Sequence, residues 1–295
     1  MSGFDGRGRG PAAAILAAGL LAAAGGPAAA VPVTAAPQAP AAAGDSLPAA
    51  MADSLKTVQA RRILERAAGL AGGLEAWQAT RDVRFQMVMT PFAKGAPGKS
   101  DTSTVTFRLH GRPRYREEIS DGTVLACDGQ RGWAVRGQAL SLAPVDSMLG
   151  MLQAASVSLW FGVPFRFLDP DFHVTYLGNI AVGGRRCEVV QAVELVPGRS
   201  LARSDVYCAY FDSTTGRLLG ANFTRVALRE NQPRLAAWFG GWVTAGPFQV
   251  PSVMRLHKLG EDLLPKLDTP LLEYRRLGIR FDVGAPDSLF DIPRR

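Results

Sequence analysis

The side chains best suited to chemistry in this sequence are its three histidines, His110, His173 and His257. Two histidines that bind the same metal ion from one helix are usually spaced as HxxxH or HExxH. No two of these histidines are that close. His110 precedes a Gly-Arg-Pro turn, His173 follows Asp-Pro-Asp, and His257 lies near Arg255 and Lys258 on a predicted strand. We therefore expect ordinary surface or strand-edge histidines and no metal site.

Other catalytic patterns are equally weak. Gly44–Leu47 spells Gly-Asp-Ser-Leu, a signature of one esterase class, but it follows an Ala/Pro-rich stretch and has no downstream DxxH block. Asp169, Asp171 and Asp212 sit in turns, where Asx hydrogen bonds explain them better than paired acid and base work. GxSxG, phosphate-binding glycine loops, CxxC and dinucleotide fingerprints are absent from the sequence. The sequence thus predicts no catalytic residue and no cofactor.

The elements that must position any site are mostly β-strands. Ser204–Val226 reads as a hairpin of Tyr-, Phe-, Val- and Thr-rich strands around an Asp-Ser-Thr-Thr-Gly turn, in which Gly216 supplies a positive φ. In Thr80–Thr90, apolar side chains alternate with polar ones. Further strands are predicted at Thr102–Leu109, Arg114–Ile119, Val124–Asp128, Trp133 onwards, Val174–Asn179, Arg186–Leu195, Leu235–Val243, Gln249–Lys258 and Tyr274–Val283. Roughly ten or eleven short, successive strands favour a large antiparallel sheet or open barrel over βαβ winding.

Two segments have helical patterns instead. Met51 to Gly69 places apolar residues on one face. Val145–Trp160 is apolar almost all round, with Asp146 or Ser147 as a possible N-cap, and its polar residues make it a poor membrane span. We predict that this helix lies across the concave face of the sheet. The pattern leaves two roles open for it, simple core filling and a movable lid over a ligand cavity.

The N-terminus predicts export. Residues 1–30 contain Arg7 and Arg9, a thirteen-residue apolar run and small residues before Val31, the three parts of a secretory signal peptide. Residues 31–50 are Ala/Pro-rich and predict a disordered tether. Residues 51–295 are long enough for one sizeable core. We expect a single periplasmic domain that is soluble after signal cleavage, because no lipobox cysteine precedes it and no transmembrane segment follows.

Charge and cysteine content exclude other classes. The formal charge is +7, but the basic residues are scattered and not gathered with aromatics, so nucleic acid is not an expected partner. The three cysteines are too few for a disulfide framework. If Arg186–Leu195 and Ser204–Asp212 form a roughly symmetric hairpin, Cys187 faces the neighbourhood of Asp212 and Cys208 faces that of Gln191, which puts the two sulfurs beyond disulfide reach. We predict three buried, inert thiols, with a partner for Cys127 left open.

Three motifs resemble a known family. Gly72–Phe85 (GGLEAWQATRDVRF), Val163–Phe172 (VPFRFLDPDF) and Asp205–Leu219 (DVYCAYFDSTTGRLL) are similar to exported bacterial proteins of the LolA/LolB-like lipoprotein-carrier superfamily. The resemblance spans about Met51 to Pro293. It implies an α+β, mainly β fold: an antiparallel sheet curved into an unclosed barrel of about eleven strands, with helices over a cavity that accepts acyl chains. It also implies a lipid or acylated lipoprotein as partner, with a membrane protein as donor or acceptor.

Strand parity and the helical insertion select the residues that line such a cavity. Met and aromatic side chains adapt to flexible acyl chains, although a packed core uses the same types. The predicted lining residues are Val83, Phe85, Met87, Phe107, Trp133, Met151, Trp160, Phe165 and Trp242. The leading hypothesis is a non-catalytic lipid carrier. The alternatives are an envelope interaction module with a packed barrel and a hydrolase that uses His173 with Asp171.

Overall fold

A single antiparallel sheet dominates the protein. The computed structural model describes residues 49–196, 204–224 and 235–293. Within them, fourteen strands pair in the order β7-β6-β5-β4-β3-β1-β14-β13-β12-β11-β10-β9-β8, with β2 paired to β1 alone. The strands are β1 Asp82–Ala93, β2 Ala96–Pro97, β3 Asp101–Arg108, β4 Arg114–Ile119, β5 Val124–Asp128, β6 Gly132–Arg136, β7 Ala139–Ser141, β8 Phe172–Val182, β9 Arg185–Glu194, β10 Val206–Asp212, β11 Leu218–Phe223, β12 Leu235–Ala245, β13 Phe248–Leu259 and β14 Pro265–Phe281.

The sheet is not closed, since β7 and β8 form its two free ends. This confirms the predicted mainly-β class and the unclosed antiparallel sheet. The expected count of about eleven strands is too low. The two short strands β2 and β7, of two and three residues, are too brief to show an alternating pattern. The predicted signal peptide and nearly all of the tether lie outside the described residues.

Among the residues that the structure describes, three helices lie on one side of this sheet or at its rim: α1 (Ala49–Leu70), α2 (Leu74–Ala79) and α3 (Pro144–Gly162). The two longer helices match the two predicted helical segments to within two residues at all four ends. The predicted N-cap of α3 is wrong. Ala143 holds that position with Pro144 directly after it, while the Asp146 carboxylate accepts hydrogen bonds from Arg136 and Ser141. In the described part of the chain, no helix combines the length and apolarity needed to cross a membrane.

The two faces of the sheet differ in what covers them. In β1, Val83, Phe85, Met87 and Met89 are buried on one face, as the alternation predicts. We call the face covered by α1 and α3 the inner face, because these β1 side chains share one core with both helices. The opposite side is the outer face. A smaller core cluster of Val182, Cys187, Val189, Tyr210 and Leu219 packs separately from the main one.

The predicted register around β9 and β10 is confirmed. Cys187 pairs with Asp212, and Cys208 pairs with Gln191. All three cysteines are free thiols; Cys127 and Cys187 are buried and Cys208 is half-buried. Burial raises the pKa of the Cys208 thiol to about 11, which keeps it protonated and unreactive at neutral pH.

The C-terminal segment, residues 282–293, fastens to the outer face. The buried Asp82 carboxylate accepts hydrogen bonds from Arg108 Nη1 at 2.8 Å and from the backbone N–H groups of Val283 and Ala285 at 2.8 and 3.2 Å. Arg108 Nη2 also donates to Asp287 at 2.6 Å. Ion pairing and backbone hydrogen bonds thus hold the end of the chain against β1 and β3.

Candidate functional site

The inner face is filled by aromatic side chains delivered from α3 and the turn that follows it. Phe161, near the end of α3, stacks on Phe85 with ring centroids 5.5 Å apart and meets Phe107 edge-on at 5.4 Å. Phe165, in the next 3₁₀ turn, stacks on Trp77 at 4.5 Å. Such pairs stabilise a core beyond the burial of their area. The last turn of α3 is therefore anchored to the sheet by its rings.

Trp160 anchors the other side of α3. Its indole lies 4.8 Å from the Phe223 ring and about 6 Å from the Tyr207 and Phe239 rings, which come from β10, β11 and β12. Because Trp160 and Phe161 are adjacent in sequence, they point in different directions from the helix. One residue contacts the β10–β12 part of the sheet, and the other contacts β1 and β3.

A cation lies within this aromatic interior. Arg276, on β14, is only 5% exposed. Its guanidinium carbon is 5.3 Å from the Phe161 ring centroid and 6.0 Å from that of Phe85. Nη1 donates to the Pro251 carbonyl at 3.0 Å, and Nη2 has a weak contact with Met254 Sδ at 4.0 Å.

Charge neutralisation of Arg276 is missing from the described residues: no carboxylate among them lies within 4.0 Å of its guanidinium. Burial lowers the pKa of Arg276 to about 10, which still leaves the group charged at neutral pH. Isolated buried charges are costly unless they are paired, so proteins rarely keep them without use. The inner face therefore contains a cation that its own acids do not balance.

The inner face also holds a buried carboxyl group, that of Glu117, but its hydrogen bonds go to groups other than Arg276. Glu117 accepts hydrogen bonds from Tyr115 Oη at 2.6 Å and Ser103 Oγ at 2.7 Å. Ser103 and Arg276 both pair with Met87, from opposite sides of β1, so they are roughly 10 Å apart across two strand spacings. Burial raises the pKa of Glu117, which favours its neutral form. The acid thus leaves the charge of Arg276 unbalanced.

Most of the predicted lining residues meet in this interior. The inner face of β1 and β3 carries Val83, Phe85, Met87 and Phe107. Trp160 of α3 and Phe165 of the 3₁₀ turn after it pack in the same buried cluster as these four residues. The structure therefore brings together the residues selected by strand parity with those of the helical insertion. Whether they contact a ligand stays a prediction.

Three predicted lining residues lie elsewhere. Trp133 is buried on the outer face, where its indole N–H donates to the Phe290 carbonyl at 3.1 Å; the adjacent Gly132 takes the position against α3. Met151 is 48% exposed on the solvent side of α3. Trp242 packs at the margin of the main cluster, with Arg217 over its ring at 5.0 Å. The alternation within one strand separates its two faces, but it does not tell which of them points to the inner face of the sheet.

The three histidines, from which a catalytic site was considered, each contact a group close to them in the fold. His110 Nε2 bonds the Trp77 carbonyl at 2.9 Å, His257 Nδ1 bonds the Lys266 carbonyl at 2.9 Å, and His173 has a marginal 3.4 Å contact with Thr175. Across residues 49–196, 204–224 and 235–293, no three His, Cys, Asp or Glu side chains cluster as metal ligands do.

The predicted turn role of one carboxylate is confirmed. Asp212 accepts from the backbone N–H groups of Thr214 and Thr215 at 3.0 and 2.8 Å. These hydrogen bonds lower the pKa of the Asp212 carboxyl, which suits a turn and not a general base. The Gly44–Leu47 motif lies outside the described residues.

Arg276 and Glu117 are the site residues that sequence reasoning missed. The sequence did contain a signal for Arg276. Leu272, Tyr274 and Arg276 are alternate residues of β14 and therefore share one face of the strand. If Tyr274 is buried on that face, the arginine is buried there too. Arginine is normally assigned to solvent, and an isolated strand offers no reason to overrule that expectation. Only the packing of α3 against β14 does so.

Comparison with known proteins gives structural likeness only. No family model matches the chain, and no curated protein is similar to it in sequence. Among solved structures, similar chains include a DUF1329 family protein from Desulfovibrio piger, at 13% identity over 79% of this chain and 97% of that chain, with a TM-score of 0.48.

Two further similar structures have comparable scores. A LolA superfamily protein from Nitrosomonas europaea is 12% identical over 79% of this chain and 97% of its own, and an outer membrane lipoprotein-sorting protein domain from Vibrio parahaemolyticus is 10% identical over 80% and 97%; both have a TM-score of 0.48. At such identities and scores, these likenesses carry no statement about ligand, partner or activity.

Proposed function

We propose that this protein is a non-catalytic periplasmic carrier that holds the acyl chains of a lipid or lipoprotein against the inner face of its sheet. In this proposal the chains lie among Phe85, Phe107 and Phe161, and an anionic group of the ligand pairs with Arg276. Residues 1–30 supply the export signal. N-terminal sequencing of the protein recovered from the periplasm tests that part, with Val31 expected as the first residue.

The observation that supports this function most directly is the uncompensated charge of Arg276. Its guanidinium lies between apolar rings, where an anion would gain strong electrostatic attraction because water is excluded. The same rings offer apolar contacts to a chain attached to that anion. A fatty acid or an acidic lipid combines both properties in one molecule.

The form of α3 supports access to this interior. Trp160 and Phe161 face the sheet, while Val145, Met148 and Met151 are about half exposed on the other side. The one charged residue of α3, Asp146, lies in its first turn and is held by Arg136, so the Trp160–Phe161 end of the helix can lift from the sheet without moving a charge across the core. Flexible methionine side chains then provide further surface for a bound chain.

The test compares a fluorescent polyene fatty acid with its neutral methyl ester, which has the same chain. We expect the purified mature protein to bind the acid more tightly than the ester. Arg276→Met should weaken binding of the acid by about 10- to 100-fold, the range of a charge-assisted pair, and leave binding of the ester unchanged. Arg131→Met, at an exposed position on the turn before β6, is the matched control.

Two results would count against the proposal. Absence of binding for both probes, together with no lipid in an organic extract or a native mass spectrum of the purified protein, removes the carrier function. Equal binding of acid and ester leaves acyl binding in place and removes the role of Arg276.

A second candidate function is a docking module of the cell envelope with a packed interior. The edge strand β8 is eleven residues long and, among the described strands, pairs only with β9, so its other side can accept a strand from a partner. The close ring contacts under α3 also suit a core that never opens.

This second function predicts a different experiment. A partner captured from envelope extracts should be lost when Leu177 of β8, which is 46% exposed, is replaced by lysine. Leu263→Lys, at a 50% exposed residue in the turn before β14, is the control that should retain capture. Capture that survives both substitutions, or fatty-acid binding that depends on Arg276, argues against the docking module.

A further inference from the structure

A pocket opens on the outer face of the sheet, and Phe85 is the one member of the aromatic interior that contributes to its lining. The pocket has a volume of about 380 Å³. It lies where β1 and β14 pair, and β3 forms one side. The lining residues are Arg84, Phe85, Gln86, Thr104, Leu277, Gly278 and Arg280.

A β-bulge creates this pocket. Arg84 pairs with Arg280, but Gln86 pairs with Leu277, so two β14 residues lie opposite the single Phe85. Gly278 is one of those two, has φ of +60°, and lacks a side chain that would fill the space; a Cβ built there meets nothing within 4 Å. Bulges bend a strand and redirect its side chains, and they recur at functional sites. Here the bulge separates the strands enough to leave a recess.

The charge at this bulge is unusual. Arg84 and Arg280 are directly opposite each other, and like charges at such positions destabilise a sheet. Among the described residues, neither guanidinium has an ion pair with a carboxylate. The nearest outer-face acid on β4, Glu118, opposite Thr104, is bound by Arg116 at 2.8 Å.

Two other arginines on the outer face are neutralised by a shared carboxylate. Arg255 and Arg275 each donate from Nε to the Glu273 carboxylate at 2.6 Å, so one acid serves two cations. Arg84 and Arg280 have no such acid in the part of the chain that the structure describes. Their repulsion is relieved if an external anion takes the place that Glu273 holds for the other pair.

We propose that this pocket binds a phosphate monoester, with the phosphate between Arg84 and Arg280 and its organic substituent against Leu277. Two guanidinium groups match the several oxygens of a phosphate through paired N–H donors. The Thr104 hydroxyl and the Gln86 carboxamide add neutral donors at the rim, and half-exposed Leu277 supplies an apolar contact. The proposal concerns the face opposite the acyl site and does not depend on acyl binding.

Titration calorimetry of the full mature protein with phenyl phosphate at low salt tests the pocket. We expect saturable binding with one site per chain. Arg84→Gln and Arg280→Gln should each weaken it by about tenfold or more, the size of a lost charge-assisted pair. The double variant Arg61→Gln/Arg62→Gln, at exposed positions on α1, removes the same charge as the double variant at the pocket and should bind like wild type.

Thermal unfolding provides a readout without ligand. If the two arginines repel each other, either single glutamine variant melts at a higher temperature than wild type at low salt, and the difference shrinks as salt rises. Phenyl phosphate should raise the melting temperature of wild type and not that of the Arg84→Gln/Arg280→Gln variant.

Vesicles identify the source of the phosphate. Phosphatidic acid vesicles that sediment the wild type, but not the Arg84→Gln/Arg280→Gln variant, assign the phosphate to a lipid headgroup; binding of phenyl phosphate alone assigns it to a free ester. Absence of saturable binding to both probes at millimolar concentration, or equal binding by the pocket variant and wild type, overturns the proposal.

Discussion

Arg108 and Arg276 are buried almost equally, at 7% and 5% exposure, on opposite faces of the same sheet. Arg108, on the outer face, has two carboxylates, from Asp82 and Asp287, and the Ala285 carbonyl. Arg276, on the inner face, has a carbonyl, a thioether sulfur and two aromatic rings. Equal burial therefore accompanies opposite electrostatic environments.

The difference separates a structural role for Arg108 from a ligand-binding role for Arg276. Arg108 is neutralised by the chain itself, and its hydrogen bonds attach residues 282–293 to β1 and β3. A charge that the fold neutralises is part of the fold. Arg276 receives only weak compensation, so its burial lowers stability unless something else supplies the negative charge. This contrast underlies the proposal that its counter-ion is a ligand.

The largest effect is expected from removing the partner of the neutralised cation. Asp82→Ala leaves Arg108 buried without its fully buried carboxylate partner and leaves two backbone N–H groups without an acceptor. We expect the free energy of unfolding to fall by about 3–5 kcal/mol, measured by urea denaturation monitored by tryptophan fluorescence.

Asp287→Ala is the control for this prediction. Asp287 also binds Arg108, and that hydrogen bond lowers the pKa of its carboxyl, but its side chain is largely exposed. Its removal should destabilise the protein far less than removal of Asp82. Equal losses for the two variants would show that burial does not set the strength of this network.

A smaller effect of opposite direction is expected at the other cation. Arg276→Met replaces the buried guanidinium by a flexible apolar side chain that fits among Phe85, Phe161 and Met254. The free energy of unfolding should stay unchanged or rise by up to about 2 kcal/mol, because removal of the desolvated charge outweighs the lost cation–π contacts. Urea denaturation of the lipid-free protein measures it. A loss as large as that of Asp82→Ala would mean that Arg276 has a strong internal partner.

The smallest effect concerns Glu117 and depends on pH. Burial raises the pKa of this carboxyl above its ordinary value of 4.5, so the folded state holds the proton more tightly than the unfolded state does. The free energy of unfolding therefore falls as the pH rises from 4.5 through the raised pKa. Glu117→Gln cannot lose a proton there and should become more stable than wild type over that range.

Thermal melts of both proteins from pH 4 to pH 7 check this prediction. The two curves should coincide at the acidic end and separate as the pH rises, with the variant more stable. A wild type that gains stability with rising pH relative to the variant would indicate that Glu117 is ionised and paired, which would also weaken the contrast between Arg108 and Arg276.

Local patterns predicted much of this fold. Alternation in β1 identified its buried face, and a symmetric hairpin between Arg186–Leu195 and Ser204–Asp212 was enough to place Cys187 near Asp212 and Cys208 near Gln191. These features depend on neighbours in sequence, because strand parity and hairpin register follow from local geometry. The same reasoning correctly grouped Phe85, Phe107 and Trp160 in one interior.

Features that depend on distant segments were not predictable in this way. Trp133 looked like an inner-face residue until the C-terminal segment, more than 150 positions later, placed Phe290 against it on the outer face. Met151 belongs to a helix that is apolar on every side, so its pattern does not say which side contacts the sheet. The pairing of β1 with β14 sets Arg84 against Arg280, which neither strand reveals alone.

The sequence by itself thus determined the mainly-β class, the two long helices and the lack of a recognisable catalytic motif, because each follows from composition or from short-range periodicity. The tertiary structure alone decided which charges have partners. The neutralisation of Arg108, the unbalanced charge of Arg276 and the repulsion between Arg84 and Arg280 all depend on side chains brought together across the sheet. Electrostatic energy depends on distance and burial, and the order of residues along the chain specifies neither.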